Sequence, residues 1–500
     1  PIMAAELAAS ERLNYLSKKQ RAVSSRHARQ IISANNGNSF HPGSFSTIPI
    51  PGHQAATYLD FQNSYLKFTI ENNDPNASVK LASGFDLIQQ IELLADGVTL
   101  SNIQNYNVLV DQYMSSEVGK EWKDNFGRST AAVCDDTFDP TFVFTAKTLT
   151  ANVEVTGKDF SQAVNSANVT AGQPAVIAVG EGQKVRGEID KDVFKAAVDG
   201  ATVTGQPSKG PVTIDSNGKL TLCLPLVLTP LFSVNKYIPL IGKSTLTLRI
   251  TWASAARGFN GSASDAEIKY TPVEFIASQV RLSADANQMV MQNTGGVFEL
   301  VCSDYRAAQG HLDLSKDAAV AYTTGFSFSS FDRLSFSFYP HATLLAADKF
   351  SIRNRAKAFI SNFALAINGE EFPKKRIDVS STNISETLSE LGLAHRSLAD
   401  FNHQSSFDPD RFALDQPAAT AALSQGQFLA MLDLEAMQPH MGDSLYSGMT
   451  TTGSTVQLVA AINKGDTNIS QTHHTCFMFA NFTSALVLDM NGSQSWSMSL

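Results

Sequence analysis

The sequence predicts an all-β protein built from two similar halves. Short apolar runs alternate with polar residues and are separated by turn residues, a pattern typical of antiparallel strands in a sandwich or barrel. One order of element types occurs twice along the 500 residues, which indicates an internal repeat. Charged residues make up only 17% of the chain and hydrophobic residues 43%, so extensive burial within or between chains is expected.

The first half contains six predicted strands. Polar residues 62–64 separate the first two strands, and Asp96-Gly97 is a strong tight-turn signal after the third. Apolar residues Ile103, Tyr106, Val110 and Tyr113 then recur at helical spacing, which predicts a helix over 103–113. The predicted strands cover residues 58–61, 65–70, 86–94, 220–228, 245–252 and 273–282.

The second half shows the same order of elements. Asn368-Gly369 is the turn that corresponds to Asp96-Gly97, and a predicted helix over 384–398 follows it. Asn383 and Glu386 are spaced as in a capping box at the start of that helix. The predicted strands cover residues 325–328, 334–339, 358–367, 428–434, 456–462 and 476–488.

Segment 145–219 is the main difference between the halves. It holds nine glycines but only two aromatic residues, Phe160 and Phe194, so it can add little to an aromatic core. We expect a surface insertion with small strands of its own, because structureless loops of this length are uncommon. Asp215-Ser216-Asn217-Gly218 is predicted to be the hairpin turn that returns the chain to the sandwich.

The start of the chain has a charge opposite to that of the rest. Residues 1–30 hold six cations against Glu6 and Glu11, a net charge of +4, whereas the whole chain carries −9. Ala4, Leu7 and Leu13 favour a helix there. The segment is interpreted either as an arm that contacts nucleic acid, lipid head groups or an acidic partner, or as a solvated tail. The six cations are Arg12, Lys18, Lys19, Arg21, Arg26 and Arg29.

Composition excludes other classes. The acidic balance argues against a generally basic nucleic-acid binder, and no run of 18 apolar residues predicts a membrane-spanning helix. The first residues lack the pattern of a secretory signal, so a reducing compartment is expected. Four dispersed cysteines are then expected to be free thiols. They are Cys134, Cys223, Cys302 and Cys476.

The ordered set of motifs resembles one family. These motifs are Ser64 to Ile70, Gly84 to Leu93 with its turn, Leu222 to Pro225, Leu246 to Ile250, and Ile367 to Gly369. Over residues 40–500 the chain resembles the double jelly-roll major capsid proteins of icosahedral double-stranded DNA viruses. That lineage includes adenoviruses, virophages and Polinton-like viruses.

The resemblance implies two tandem eight-stranded antiparallel jelly rolls, with a short helix in each and an N-terminal helical arm. The implied division is a basic arm over 1–40, a first roll over 41–285 that carries the insertion, and a second roll over 286–500. It implies homotrimers of pseudo-hexagonal outline in a virion assembled inside the host cell, without enzymatic activity or cofactor. The implied partners are other copies, penton and minor capsid proteins, and genome or an internal membrane facing the basic arm.

The sequence fits two other functions less well. A secreted or surface carbohydrate-binding or adhesive β-sandwich would call for an export signal and aromatic platforms, but only three Trp occur. A jelly-roll enzyme of the cupin kind would call for clustered metal ligands. Gly242-Lys243-Ser244 lacks the earlier glycine of a phosphate-binding loop, because that position holds Tyr237.

The remaining polar clusters have simpler interpretations. His473 and His474 are adjacent, so a strand would place them on opposite faces, as surface or interface histidines rather than ligands of one metal. Asp135, Asp136 and Asp139 could bind calcium, but an exposed loop is the favoured interpretation. Asp408 and Asp410 flank a proline and are interpreted as turn residues. A phenylalanine stripe is interpreted as sandwich core: Phe326, Phe328, Phe331, Phe336 and Phe338.

Overall fold

The computed structural model describes most of the two halves. The described residues are 24–119, 212–259, 264–344, 351–379, 384–395, 412–416, 426–435, 447–465 and 471–499, with short pieces at 122, 127, 142–146, 177–178, 202–205, 407 and 469. Sixteen strands in four antiparallel sheets form the body of this part of the chain.

Eight main strands before residue 283 lie in two sheets, one of which also includes the short strands Ile238–Pro239 and Ile268–Tyr270. One sheet has the order β1-β8-β3-β6 and the other β2-β7-β4-β5. The strands are β1 Ser25–Ser33, β2 Phe45–Ile50, β3 Thr57–Asn72, β4 Ile88–Ala95, β5 Val98–Gln104, β6 Lys219–Leu224, β7 Leu246–Trp252 and β8 Glu274–Leu282.

Eight strands after residue 296 repeat this arrangement. Their sheets have the orders β9-β16-β11-β14 and β10-β15-β12-β13, which are the first-half orders shifted by eight. The duplication predicted from the sequence is therefore confirmed. The strands are β9 Val297–Asp313, β10 Ala319–Thr323, β11 Phe331–Pro340, β12 Ile360–Ile367, β13 Glu370–Asp378, β14 Ala430–Asp433, β15 Val456–Ile462 and β16 His473–Asp489.

Three longer helices accompany the strands: α1 Tyr106–Glu117, α2 Ala284–Thr294 and α3 Ile384–Ala394. The helix predicted over 103–113 begins three residues late because β5 continues to Gln104 and Asn105 is left-handed, with φ 52°. The helix predicted over 384–398 is α3, which ends at Ala394; its proposed cap, Asn383, lies outside the described residues. Helix α2, which joins the two halves, was not predicted.

Matching hairpins support the duplication at the level of single residues. Asp96 and Gly97 have φ of 48° and 86°, and Asn368 and Gly369 have φ of 52° and 85°. Positive φ at both central residues is the signature of a type I′ turn, which matches the right-handed twist of the flanking strands. The two turns join β4 to β5 and β12 to β13.

Shorter elements surround the body. Two short strands within segment 145–219, Ile177–Ala178 and Thr202–Gly205, form a sheet with Phe142–Ala146, which begins just before that segment. The other short strands are Val79–Leu81, Val212–Ile214, Ile238–Pro239, Ile268–Tyr270 and Trp496–Ser499. The short helical turns are Gly84–Leu87, Pro230–Ser233, Ala255–Gly258, His341–Leu344 and Ser351–Arg353.

The N-terminal helical arm is not confirmed. Residues 1–23 lie outside the described residues, and the rest of the expected arm includes a strand. β1 pairs with β8 along its whole length, and Arg26 lies opposite Arg281. A strand forms there because Ile32 can be buried against the first core while its neighbours stay exposed.

Three local predictions need correction. Residues 58–61 and 65–70 belong to one strand, β3, because residues 61–64 form a bulge opposite Ala277. Residues 325–328 do not form a strand, although Phe326 and Phe328 are buried. Asp215 to Gly218 does form a turn, but Val212–Ile214 and β6 on either side of it pair with strands of different sheets.

Each half has an apolar core. In the first, Trp252 packs on Tyr270 and Phe68 with ring centroids 4.5 and 4.9 Å apart. In the second, Phe328 and Phe482 stack at 4.1 Å. All five residues of the phenylalanine stripe are buried in the second core, which confirms that interpretation.

Candidate functional site: the interface between the two halves

One sheet of the second half is shared by both cores. Along β16, Met478 and Ala480 face the second core, whereas Phe477 and Phe479 join the first core. Successive side chains on a strand point to opposite faces, so β16, in the interior of the sheet β9-β16-β11-β14, is buried on both sides. This burial joins the two halves through an apolar contact rather than through a linker alone.

Helix α1 supplies the polar part of the interface. The Gln112 side chain donates from Nε2 to Ser337 Oγ at 2.8 Å and accepts from Ser335 Oγ at 3.0 Å. Both serines lie on β11, two residues apart, and therefore face the helix together. Because all three side chains are buried, this pairing fixes the helix at one position along the strand.

A buried ionic network lies beside this contact. Arg355 donates from Nη1 to Asp111 Oδ2 at 2.9 Å, and Arg353 Nη1 lies 3.7 Å from the other oxygen of Asp111. Arg353 also reaches Asp86, with Nε 3.3 Å from Oδ2. Each of the four side chains is less than a tenth exposed. Both aspartates belong to the first half and both arginines to the second, so the network crosses the interface.

The two repeated helices also meet across the interface. At the end of α1, Glu117 is hydrogen-bonded to His395, which follows the end of α3. Burial alone would raise the pKa of the Glu117 carboxyl, but the hydrogen bond and charge of His395, helped by Arg333 and Tyr113, bring that pKa below its ordinary value. The carboxylate is therefore held ionised against its partner in the other half.

A single buried carboxyl links β5 to β9. Ser101 Oγ donates to Asp304 Oδ1 at 2.8 Å, and the Tyr305 backbone N–H donates to the same oxygen. Burial raises the pKa of Asp304 to about 6, although both hydrogen bonds act to lower it. This interface contact therefore titrates in the mildly acidic range.

Replacing Asp304 with asparagine is expected to remove one pH-dependent part of the stability. The folded-state pKa lies above the ordinary value of about 3.9, so the protonated carboxyl stabilises the fold below about pH 4. That contribution, about 2–3 kcal/mol, is lost as the pH rises to about 6. Asparagine keeps the oxygen that accepts both hydrogen bonds but does not titrate.

The measurement is urea unfolding of both proteins between pH 4 and 7. The difference in unfolding free energy between Asp304→Asn and the parent should grow in favour of the variant as the pH rises, then level off above pH 6. A difference that stays constant across this range would contradict the raised pKa.

The segment that contains Gly242 belongs to the same interface. The Lys243 backbone N–H donates to Gln494 O at 3.0 Å, and a Cβ on Gly242 would lie 2.8 Å from Leu488 Cδ1. The glycine therefore permits close packing against the second half. This packing accounts for Gly242-Lys243-Ser244 without a phosphate site.

The predicted arm residues are only partly described. Arg12, Lys18, Lys19 and Arg21 lie outside the described residues. Arg26 and Arg29 are exposed on β1, where Arg29 Nη2 donates to Tyr65 Oη at 3.2 Å. The structure therefore places two of the six cations on the sheet of the first half, where both side chains are exposed.

Among the other predicted groups, His474 needs correction. It is expected at a polar surface or an interface but is wholly buried within the chain, and burial lowers the pKa of its ring to about 4. His473 is half exposed, so the two rings do point to opposite faces. Cys223, Cys302 and Cys476 are free thiols. Six residues lie outside the described part of the chain: Cys134, Asp135, Asp136, Asp139, Asp408 and Asp410.

Two kinds of feature are absent from the described residues. Within them, three or more His, Cys, Asp or Glu side chains nowhere gather as a metal site would require. The described helices are also too short or too polar to cross a bilayer.

Sequence reasoning missed the ionic network. Arg353, Arg355 and Lys357 occur at alternate positions just before the apolar residues of β12, and all three are buried. Three cations at alternate positions beside a strand that is predicted to be buried were the available signal, since buried charges require partners. The partners Asp86 and Asp111 could not be inferred, because they lie more than 240 residues away.

Solved structures share this arrangement over nearly the whole chain. A quasi-atomic model of the PBCV-1 virus capsid has a TM-score of 0.56 at 9% identity, covering 97% of this chain and 99% of that chain. The fold is a double jelly roll. The Faustovirus major capsid protein has a TM-score of 0.55 at 9% identity, covering 93% and 91%.

A third solved structure extends the comparison. A cryo-EM structure of the Sputnik virophage matches this double jelly roll with a TM-score of 0.51 at 10% identity, covering 100% of this chain and 93% of that chain. No protein-family model and no curated protein matches the sequence. The predicted resemblance is confirmed at the level of the fold.

Proposed function

We propose that this chain is a major capsid protein, the structural subunit of an icosahedral virus shell, and that it works in the virion without enzymatic activity. The observation that carries the proposal is the duplication: two jelly rolls with identical strand order, joined through a buried interface. Its fold likeness to structures described as capsids of PBCV-1 and Faustovirus supports the same conclusion.

The proposed domain division follows the sheets. The first roll, expected over 41–285, is extended to begin at β1, and it ends at β8. Helix α2 then leads to the second roll, expected over 286–500, which begins with β9. Segment 145–219 remains a proposed surface insertion on the first roll.

The duplication explains how three chains could tile a shell. A threefold axis relates three copies, and two similar rolls in each copy give six similar blocks around that axis. Such a trimer has a nearly hexagonal outline, and hexagonal tiles fill a surface through repeated edge contacts. The buried interface keeps the two rolls of one chain at a fixed angle, which a regular outline requires.

Electron microscopy and sedimentation of the purified protein test this proposal. We expect a trimer mass and particles of six-sided outline, with larger shells at higher protein concentration. A protein that stays monomeric at every concentration and in the presence of particle extracts would contradict the proposal.

The basic arm is proposed to face a negative partner inside the shell, either genome or membrane. Arg26 lies directly opposite Arg281, and like charges at such positions repel unless an anion lies between them. Limited proteolysis of intact particles tests the placement. We expect cleavage within 145–219 before cleavage within 1–23, and the reverse order would overturn it. Penton and minor capsid proteins are further proposed partners.

A further inference from the structure

A groove opens where the two rolls and helix α2 meet. Its volume is about 860 Å³, which lies within the range of about 300–1,000 Å³ found for ligand pockets. We call it the junction groove. The apolar lining is Phe61, Val234, Val280, Leu282, Val290, Phe298 and Leu300, and the polar rim includes Asp60, Asn63, Asn235, Lys236 and Tyr237.

Hydrogen bonds between different elements hold the walls of the junction groove in place. Tyr58 Oη on β3 donates to Asn287 Oδ1 on α2 at 2.8 Å. Gln62 Nε2, in the bulge of β3, donates to the carbonyl oxygens of Phe232 and Val234 at 3.3 Å each. The bulge therefore forms part of one wall, and the hydrogen bonds of Gln62 hold residues 232–234 of the opposite wall in place. The groove is thus formed before anything binds.

The groove still exposes apolar surface. Tyr237 is 55% exposed at the rim, and Val280, Leu282 and Val290 are only partly buried. Apolar surface that faces water is unfavourable, at about 25 cal/mol per Å². An occupant with apolar side chains would therefore stabilise the protein.

The beginning of the chain is the nearest candidate. Ser25 and His27 at the start of β1 themselves line the groove, so the preceding segment of the chain is covalently joined to β1 at its edge. Leu16 is eight residues from Ser24 and can reach up to about 28 Å from it. A short tether of this kind gives an effective concentration in the millimolar range. Segment 2–16 is also rich in apolar residues, whereas the cations from Lys18 onward follow it.

We propose that the junction groove is the docking site for segment 2–16 of the same chain, bound through Leu7, Leu13 and Leu16. Apolar contact rather than charge provides the binding, because the groove offers one carboxylate, Asp60, which already accepts a hydrogen bond from Asn63. The cations from Lys18 to Arg29 stay outside the groove and available to another partner. This docking does not depend on the proposed shell function.

Hydrogen–deuterium exchange of the full chain and of a chain lacking residues 1–23 tests the docking. We expect the deletion to increase exchange at least fivefold in peptides that cover 60–63, 234–237 and 286–294. Exchange in β15, remote from the groove, should not change. Unchanged exchange around the groove would overturn the proposal, and increased exchange everywhere would show general destabilisation and overturn it as well.

Added peptides separate the two kinds of contact. A synthetic peptide of residues 1–23 should restore protection, and so should its Lys18→Ala, Lys19→Ala, Arg21→Ala variant. The variant Leu7→Asp, Leu13→Asp, Leu16→Asp should not. Restoration by the aspartate peptide would overturn an apolar docking.

Photo-crosslinking identifies the chain that provides the segment. A crosslinking residue placed at position 7, in a mixture of isotopically heavy and light chains, should react with the groove of its own chain. Crosslinks to the other isotope, or to a different protein, would overturn the proposal. Trimer formation is measured separately, so that its failure would count against the shell function alone.

Discussion

Replacing Asp111 with alanine is expected to lower the free energy of unfolding by about 3–5 kcal/mol. The substitution leaves Arg355 buried without the carboxylate that Nη1 contacts at 2.9 Å, and Arg355 is only 2% exposed. A charge that is buried without a partner costs far more than a surface charge, since water cannot reach it. Urea unfolding followed by the fluorescence of buried Trp252 and Trp496 measures the loss.

An exposed ion pair provides the matched control. Lys67 Nζ lies 3.6 Å from Glu274 Oε2, and the lysine side chain is 40% exposed. Replacing Lys67 with alanine should cost no more than about 1 kcal/mol, because exposed pairs are screened by solvent. Equal losses of unfolding free energy for Asp111→Ala and Lys67→Ala would show that burial does not make the ionic network more important for stability than an exposed ion pair.

Removing both charges tests the reason for the loss. The double variant Asp111→Leu, Arg355→Met leaves no charge of this pair unpaired, and apolar side chains of similar size often replace buried ion pairs at little cost. We therefore expect the double variant to be more stable than Asp111→Ala. The loss of unfolding free energy in the double variant could instead equal the sum of the losses in Asp111→Leu and Arg355→Met. That result would mean that the two side chains act independently.

Much of the fold was predictable because its signals are local. Alternation along β7 places every second side chain in the core, and the pattern of residues 246–252 shows this directly. The turns Asp96-Gly97 and Asn368-Gly369 require residues that tolerate positive φ, and such residues are easily recognised. These signals, found twice in one order, were sufficient to indicate the duplication.

The elements that were missed carry weak local signals. Only Ala286 of helix α2 is fully buried, and Val290 and Met291 are partly buried against the first core, so the helix gives only a weak periodic signal. Strand β9 is polar and partly exposed through its middle, since it lies at the edge of its sheet. Residues 325–328 are predicted to form a strand but do not. Phe326 and Phe328 are buried in the core without belonging to a strand, so burial alone produces the apolar alternation.

The interface between the rolls was not predictable in the same way. β16 is apolar on both faces, and a run such as residues 476–480 indicates two-sided burial without saying what covers the second face. The polar contacts join residues such as Gln112 and Ser337, 225 positions apart. Such pairs leave no pattern in a single sequence, whereas the fold brings them together.

Replacing Gly426 with alanine is expected to cost at least about 3 kcal/mol, the upper end of the range for overpacked sites. A Cβ at Gly426 would lie 1.7 Å from Arg355 O and 2.9 Å from its carbonyl carbon. Because these are backbone atoms, no change of rotamer can relieve the contact. The Arg355 backbone N–H also donates to Gly426 O at 2.9 Å, so the two segments cannot separate without losing a buried hydrogen bond.

Gly43 provides the control for this substitution and shows what the close contact adds. It has φ of 77° but no atom within 4 Å of its added Cβ, so Gly43→Ala should cost only the strain of the left-handed region, about 1–2 kcal/mol. Gly426→Ala should also move Arg355 away from Asp111. The variant that combines Gly426→Ala with Asp111→Ala should therefore lose less unfolding free energy than the sum of the two single losses, since both substitutions disturb the same contact. Full additivity of the two losses would show that Gly426 acts on something other than the contact between the rolls.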